Sequence, residues 1–443
     1  MSRLFYFQAV ILFATATSPR LEWVAQWLGM RLVGKGLQVC CDADQLPTET
    51  AVINYSNRQL AVANYQIVPN GLLHAEGIAA PTINMQSYKG MPVFFATTGG
   101  HHVFDILAAS FFLLSRYEEY YPNYELDEYN RYSHQNCVAF QHGFLHRPIV
   151  DEWIEDLKTS LRGKFPSQVL SPNEFRFVPS YDVDVAFGIQ HKGWLRNGGG
   201  FFKELKSGNW RQAVLRCKVW MGLSPDPLDI FEELQQLHSG LQLQPVYFFL
   251  IAKKYKGYDK NIDRANSAYR QLMRKLNTQS TTGLHASWAA SNNEVLLKDE
   301  KVWMDALLNS TVVRNRMHYI NFRLPDTFRQ LLALGISEEY SMGYGTVNGF
   351  RAGTAHPYYW YDLAAEASTP LQIFPYAWMD ANSIFEHKHT TEQALAQLQS
   401  LHDAVRTTGG VFITIAHNHL MGKDETGRNW WKIYSQFLQR NFE

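Results

Sequence analysis

The stretch that most constrains this chain is 175–185, an apolar run that closes on Ser180-Tyr181-Asp182-Val183-Asp184-Val185. Phe175, Phe177, Val178, Val183 and Val185 mark it as a buried β-strand. Side chains alternate across a strand, so Asp182 and Asp184 face the same way. Two like charges on one face of a core strand destabilise each other unless a cation lies between them or loop N–H groups satisfy them. On a strand otherwise this apolar, the residues favour a metal or catalytic pair over a loop-satisfied strand end.

A chain of 443 residues holds two domains, or one large barrel with an appended domain. Lys+Arg and Asp+Glu balance at 41 each, so no overall charge draws it to nucleic acid or to an anionic membrane. Of the four cysteines, the adjacent pair Cys40-Cys41 suits neither a disulfide framework nor a zinc knuckle, and Cys137 and Cys217 stand apart. Reduced thiols in the cytoplasm are the expectation. Arg3 and the apolar residues 4–16 resemble the start of a signal peptide, which would make the protein exported. Residues 9–13 also read as a first strand leading through Pro19-Arg20 into an amphipathic run over 21–32. Strand then helix is favoured, because the apolar core is short and contains Gln8. No later segment approaches the length of a membrane-spanning helix.

Residues 1–165 read as a smaller α/β domain. Extended pieces fall at 50–55, 66–69 and 91–96, a helix at 104–120 and a second, with Pro at its first turn, at 148–161. The end of the first helix, Arg116-Tyr117-Glu118-Glu119-Tyr120, is expected to be ion-paired and to dock one domain on the other. Residues 163–173, rich in Pro and Ser, form the linker. From 174 to 443, strand-like runs at 245–251, 281–284, 312–322, 347–351, 371–375 and 411–415 alternate with helices, which implies a parallel sheet and suggests a barrel. The triplet Gly198-Gly199-Gly200 lacks the context of a phosphate loop and reads as a flexible loop within 191–209.

In a parallel α/β barrel, functional side chains gather at the C-terminal ends of strands. Asp182, Asp184, His285, His318, Arg351, Asp380, His417 and His419 all fall at such positions. Any one of them alone is weak. Carboxylates and imidazoles at several strand ends together are costly to bury without a shared purpose.

Four segments in order, Ser-Tyr-Asp-Val-Asp (180–184), Gly-Leu-His-Ala-Ser-Trp (283–288), Gly-Phe-Arg-Ala-Gly-Thr (349–354) and Ile-Thr-Ile-Ala-His-Asn-His (413–419), resemble the polysaccharide deacetylase family, the NodB-homology proteins of carbohydrate esterase family four. More closely, with 104–120, 226–229, 340–345 and 371–380, the chain resembles bacterial deacetylase-like proteins with an added N-terminal α/β domain. The resemblance implies a distorted β/α barrel that hydrolyses an N-acetyl group of a saccharide at a divalent metal, usually zinc. It would make Asp182 the general base, Asp184 and His285 metal ligands, Arg351 the residue that positions the base, and His417 the general acid, with His419 as competitor. The family's second metal histidine falls at Ala289, so His318 is expected to complete the set, or else His417 or His419. Trp288, Tyr344, Trp360 and Trp378 are candidates to stack on sugar rings, or else to pack. The alternatives are a metal-independent hydrolase of another amide or C–N bond, and a degenerate barrel that only binds glycan.

Overall fold

The computed structural model describes residues 10–253 and 257–443, so the first nine residues of the signal-like segment lie outside the described residues. The N-terminal strands are β1 (Val10–Ala14), β2 (Gln38–Cys40), β3 (Ala51–Tyr55) and β4 (Asn64–Gln66). They form a parallel sheet in the order β2-β1-β3-β4. The helix Pro19–Val33 follows β1. The Ser18 side chain accepts from the Leu21 N–H at its start, and Gly34 ends it in the left-handed region at φ 74°. A short antiparallel ribbon, β5 (Gln86–Tyr88) and β6 (Met91–Val93), lies beyond.

A second, larger sheet is built from β7 (Phe175–Val183), β8 (Val246–Leu250), β9 (Thr281–Ala286), β10 (Arg314–Met317), β11 (Glu338–Glu339), β12 (Tyr358–Asp362), β13 (Ala367–Ile373), β14 (Trp378–Met379) and β15 (Gly410–His417). Its order is β12-β13-β11-β10-β9-β8-β7-β15-β14, parallel throughout except for β12 against β13. Strands β8 and β15 are buried along their whole length, as continuous apolar strands covered on both faces should be. The ladder has two ends among the described residues, yet the sheet is strongly curled. Arg316 on β10 and Asp182 on β7 stand three strands apart, about 14 Å on a flat sheet. Their side chains nevertheless meet at 2.7 Å.

Three local expectations are corrected. Residues 104–120 are not one helix: Ile106–Leu114 is helical, Arg116 turns left-handed at φ 54°, and Tyr117–Tyr120 forms a separate 3-10 turn. The turn aims the Arg116 guanidinium at Glu119 (2.7 Å) and at the carbonyl of Arg351. Residues 193–206 form a helix through the glycine triplet, and Gly200 lies against Arg216, where a Cβ would stand 2.6 Å from Cζ. Residues 347–351 are no strand. The N–H of Phe350 is taken by the carbonyl of Leu145 and that of Gly349 by Ala377, so their backbone joins separate segments instead of a ladder.

One hydrophobic core runs through both sheets. At the junction of the two sheets Glu119 accepts from Arg351 (Nε 2.8 Å, Nη2 2.6 Å) as well as from Arg116, so the ion pairing expected of 116–120 is present, in the 3-10 turn. Nearby, buried Asp151 accepts from Arg31 (2.6 Å), the Thr354 hydroxyl (2.7 Å) and the Ala355 N–H (2.8 Å), with His356 Nδ1 at 3.1 Å. Burial opposes its charge, but His356 and Arg31 hold the carboxyl well below the usual carboxylate range. A depressed folded-state pKa contributes stability above the unfolded value, about 3.9, that is lost as pH falls below it. Asp151→Asn is therefore expected to cost roughly 3 kcal/mol at pH 7. In denaturant titrations the gap to wild type should begin to narrow below about pH 4 and keep narrowing as pH falls toward the depressed folded-state value. A gap unchanged down to pH 3 or so would refute the linkage.

Candidate metal centre

The C-terminal ends of β15, β7, β9 and β10 carry the chemistry. Asp182 pairs in register with His417 across β7 and β15, and His285 with Arg316 across β9 and β10. Asp184 follows β7, and both aspartates turn to the same side, reaching the Nε2 of His285 at 3.5 Å (Asp182) and 3.2 Å (Asp184).

Each imidazole is fixed by its far nitrogen. His285 Nδ1 lies 2.8 Å from the carbonyl oxygen of Arg316, which can only accept, so that nitrogen carries the hydrogen and Nε2 points inward. His318 Nδ1 lies 2.9 Å from Asp259, a carboxylate that also accepts from the N–H groups of Trp288 and Ala289. His417 Nδ1 lies 2.6 Å from Asp380, whose other oxygen accepts the backbone N–H of His417 at 2.7 Å. The Nε2 atoms of His318 and His417 each stand 3.6 Å from Asp184 Oδ2. Two consecutive left-handed residues, Tyr319 (φ 59°) and Ile320 (φ 56°), make the turn just beyond His318. Such residues cost about 1–3 kcal/mol each unless the surroundings hold them. Here Arg131, from the N-terminal part of the chain, donates to the Tyr319 carbonyl.

Donor atoms of Asp184, His285 and His318 lie within 4.8 Å of one another. Asp184 Oδ1 makes no hydrogen bond although Nε2 of His285 is beside it. Unprotonated ring nitrogens facing carboxylate oxygens repel, so either extra protons or a cation must occupy the space between them. Burial opposes charge here, yet His318 and then His285 and His417 hold the Asp184 carboxyl well below its ordinary range. Against the same burial, Asp184 and Asp259 push His318 up to about 9, and Asp380 with Asp184 pushes His417 up to about 10. Carboxylate plus two imidazoles, anchored from behind and open on the fourth side, is a donor set that fits a divalent ion such as zinc. His318 thus stands with the donors.

Arg351 is corrected. It is committed to Glu119 at the junction of the two sheets, and Asp182 is instead engaged by Arg316, whose Nη1 donates to Oδ1 at 2.7 Å and whose Nη2 donates to Ser180 at 2.8 Å. Arg316 shares strand parity with His318, two residues on, which is the signal that could have singled it out. Asp259 carried no signal; it sits in a loop, and only folding brings it behind His318. His419 lines the same cavity, but burial and His417 push it down to about 4, which leaves it neutral with Nδ1 unpartnered.

These groups line a cavity of about 480 Å³. Its rim carries Tyr129, Tyr258, Tyr319 and Phe385, with Tyr258 and Tyr319 rings 4.9 Å apart and Tyr129 against both. Tyr129 and Arg131 come from the N-terminal part of the chain, and Arg131 lies buried with Nη2 unpartnered. Of the aromatics expected to stack on sugars, Tyr344, Trp360 and Trp378 are buried packing residues. Trp288 is half-buried behind Tyr258.

Residues 10–166 match the model of a family of unknown function, DUF7033. No curated protein matches the chain. Among solved structures, a protein assigned as a polysaccharide deacetylase from Mycobacterium smegmatis is similar at 13% identity and TM-score 0.39, over 61% of this chain and 86% of that one. A polysaccharide deacetylase from Bacillus cereus is similar at 10% identity and TM-score 0.30, over 61% and 91%. PuuE allantoinase is similar at 10% identity and TM-score 0.36, over 61% and 87%. At such scores the likeness does not decide between activities; the side chains must.

Proposed function

We propose that this protein is a metal-assisted hydrolase that removes N-acetyl groups from a glycan or glycan precursor. In this reading residues 1–165 form an α/β domain and residues 174–443 a distorted, incompletely closed β/α barrel. The convergence of Asp184, His285 and His318 beside Asp182 carries it. When bound there, a divalent ion would supply Lewis acidity toward an amide carbonyl and a water molecule.

Asp182 is the general base. Its Oδ1 is engaged by Arg316, which leaves Oδ2 to take a proton from water. His417 is the general acid. Asp380 holds its Nδ1–H and favours the doubly protonated ring, so Nε2–H can donate to the departing amine. The tyrosine rim offers flat apolar faces to a sugar ring.

Elemental analysis of purified protein, with acetate release from N-acetylglucosamine oligomers before and after chelation, tests the reading. Bound divalent metal and chelator-sensitive release are expected. Release that survives complete metal removal would favour the metal-independent hydrolase. No release from metal-loaded protein on any N-acetylated saccharide would overturn the deacetylase. The role of His417 makes a separate prediction. His417→Ala should keep the metal and slow amide cleavage by roughly 10²–10⁴-fold. An acetyl ester with a good leaving group needs little acid assistance, so its hydrolysis should fall far less. Equal losses on both substrates would remove His417 from that role.

A further inference from the structure

The connection from β7 to β8 contains a helical hairpin, Gly193–Lys206 and Trp210–Trp220. The two helices meet through polar groups. Arg216 donates to Glu204 at 2.6 Å and to Asn197 at 3.2 Å, and Gly200 lies against the same guanidinium. The large apolar side chains point the other way. Trp194 is 70% exposed, Phe202 71%, Trp210 66% and Leu223 73%, and Leu195, Val214, Trp220 and Met221 are each more than half exposed. A helix on a globular protein turns its apolar stripe inward. This hairpin inverts that arrangement.

Charge says what covers the exposed face. From 192 to 223 the chain carries seven Lys and Arg against the single acid Glu204, within a protein whose total is zero. A second copy would bring the same positive charge to the contact and be repelled. Trp, Phe and Leu interspersed with Lys and Arg suit the boundary between headgroups and acyl chains of an anionic bilayer. Helices of 14 and 11 residues reach about 21 and 16 Å, too short to cross a hydrocarbon core of about 30 Å but suited to lying within its surface.

The base of the hairpin is tied down by hydrogen bonds near the cavity wall. The Asp226 carboxylate accepts the N–H groups of Gly188, Ile189 and Gln190 at 2.7–2.8 Å. Arg196 donates to the carbonyl of Asn261 at 3.3 Å, next to Lys260 in the cavity wall.

We propose that this hairpin is a membrane-docking element that seats the protein on an anionic lipid surface. The test is sedimentation of the full chain with phosphatidylcholine vesicles, with and without phosphatidylglycerol. Partition is expected to be at least about tenfold stronger on the anionic vesicles, to weaken as salt rises, and to be accompanied by a blue shift of tryptophan emission. The double variants Trp194→Ser/Trp210→Ser and Lys203→Gln/Lys206→Gln should each lose roughly tenfold or more. These side chains are exposed, so far-UV circular dichroism and thermal unfolding should match wild type and separate lost docking from lost folding. Equal partition on both vesicle types, or undiminished partition of the folded variants, would overturn the proposal. So would a concentration-dependent dimer abolished by Trp194→Ser in a protein that ignores vesicles, which would assign the face to a second copy.

Discussion

Replacing Asp184 by Asn is expected to remove metal and turnover together, whereas Asp182→Asn should keep the metal and lose turnover by roughly 10²–10⁴-fold. The two carboxylates share a face and reach one imidazole, but their partners differ. Asp184 is met by three ring nitrogens and, among the described residues, by no guanidinium, so its oxygens are the ones left for a cation. Asp182 has one oxygen already taken by Arg316 and offers the other to a proton. Metal content by elemental analysis, set beside acetate release, separates the two roles. Metal loss in Asp182→Asn, or retained turnover in either variant, would show that the division is wrong. Arg316→Met should resemble Asp182→Asn, since it leaves the base without its partner, while Arg351→Met should leave metal content untouched.

The second large effect lies away from the cavity. Glu119→Gln is expected to destabilise the protein by about 3–5 kcal/mol, because two buried guanidiniums, Arg116 and Arg351, then lose the carboxylate between them. Burial opposes the charge of Glu119, yet Arg351 and Arg116 still hold its carboxyl below the ordinary value, so the carboxylate is the form both partners select. At roughly 2–4 °C per kcal/mol for a domain of moderate size, the melting temperature should fall by about 10 °C. A fall of less than about 2 °C would mean that the cluster carries little net stability, the outcome that buried ion pairs sometimes give.

Much of the site could be read before folding was considered. The Asp-x-Asp spacing on an apolar strand told that both carboxylates would face one way, and they do. His285, His318 and His417 were recognisable because each ends a strand-like run, and parallel strands bring such ends to one edge. Arg351 was misplaced for a related reason. Its motif matched, but the segment carrying it is held by Leu145 and Glu119 of the N-terminal part, which no local pattern announces. The hairpin was hidden differently. Charge balance summed over the whole chain concealed a local excess, and only exposure reveals which face of a helix is left without a neighbour.

What the amino-acid order determined alone is the set of chemical groups and the side of each strand they occupy, because the period of a strand depends only on local backbone geometry. Tertiary structure decided which cation faces which carboxylate. It brought Arg316 to Asp182 by curling a sheet across three strands, sent Arg351 to Glu119, and placed Asp259 behind His318. Those pairings join residues 59 to 232 positions apart, and distance along a chain says nothing of distance in space until the core has closed.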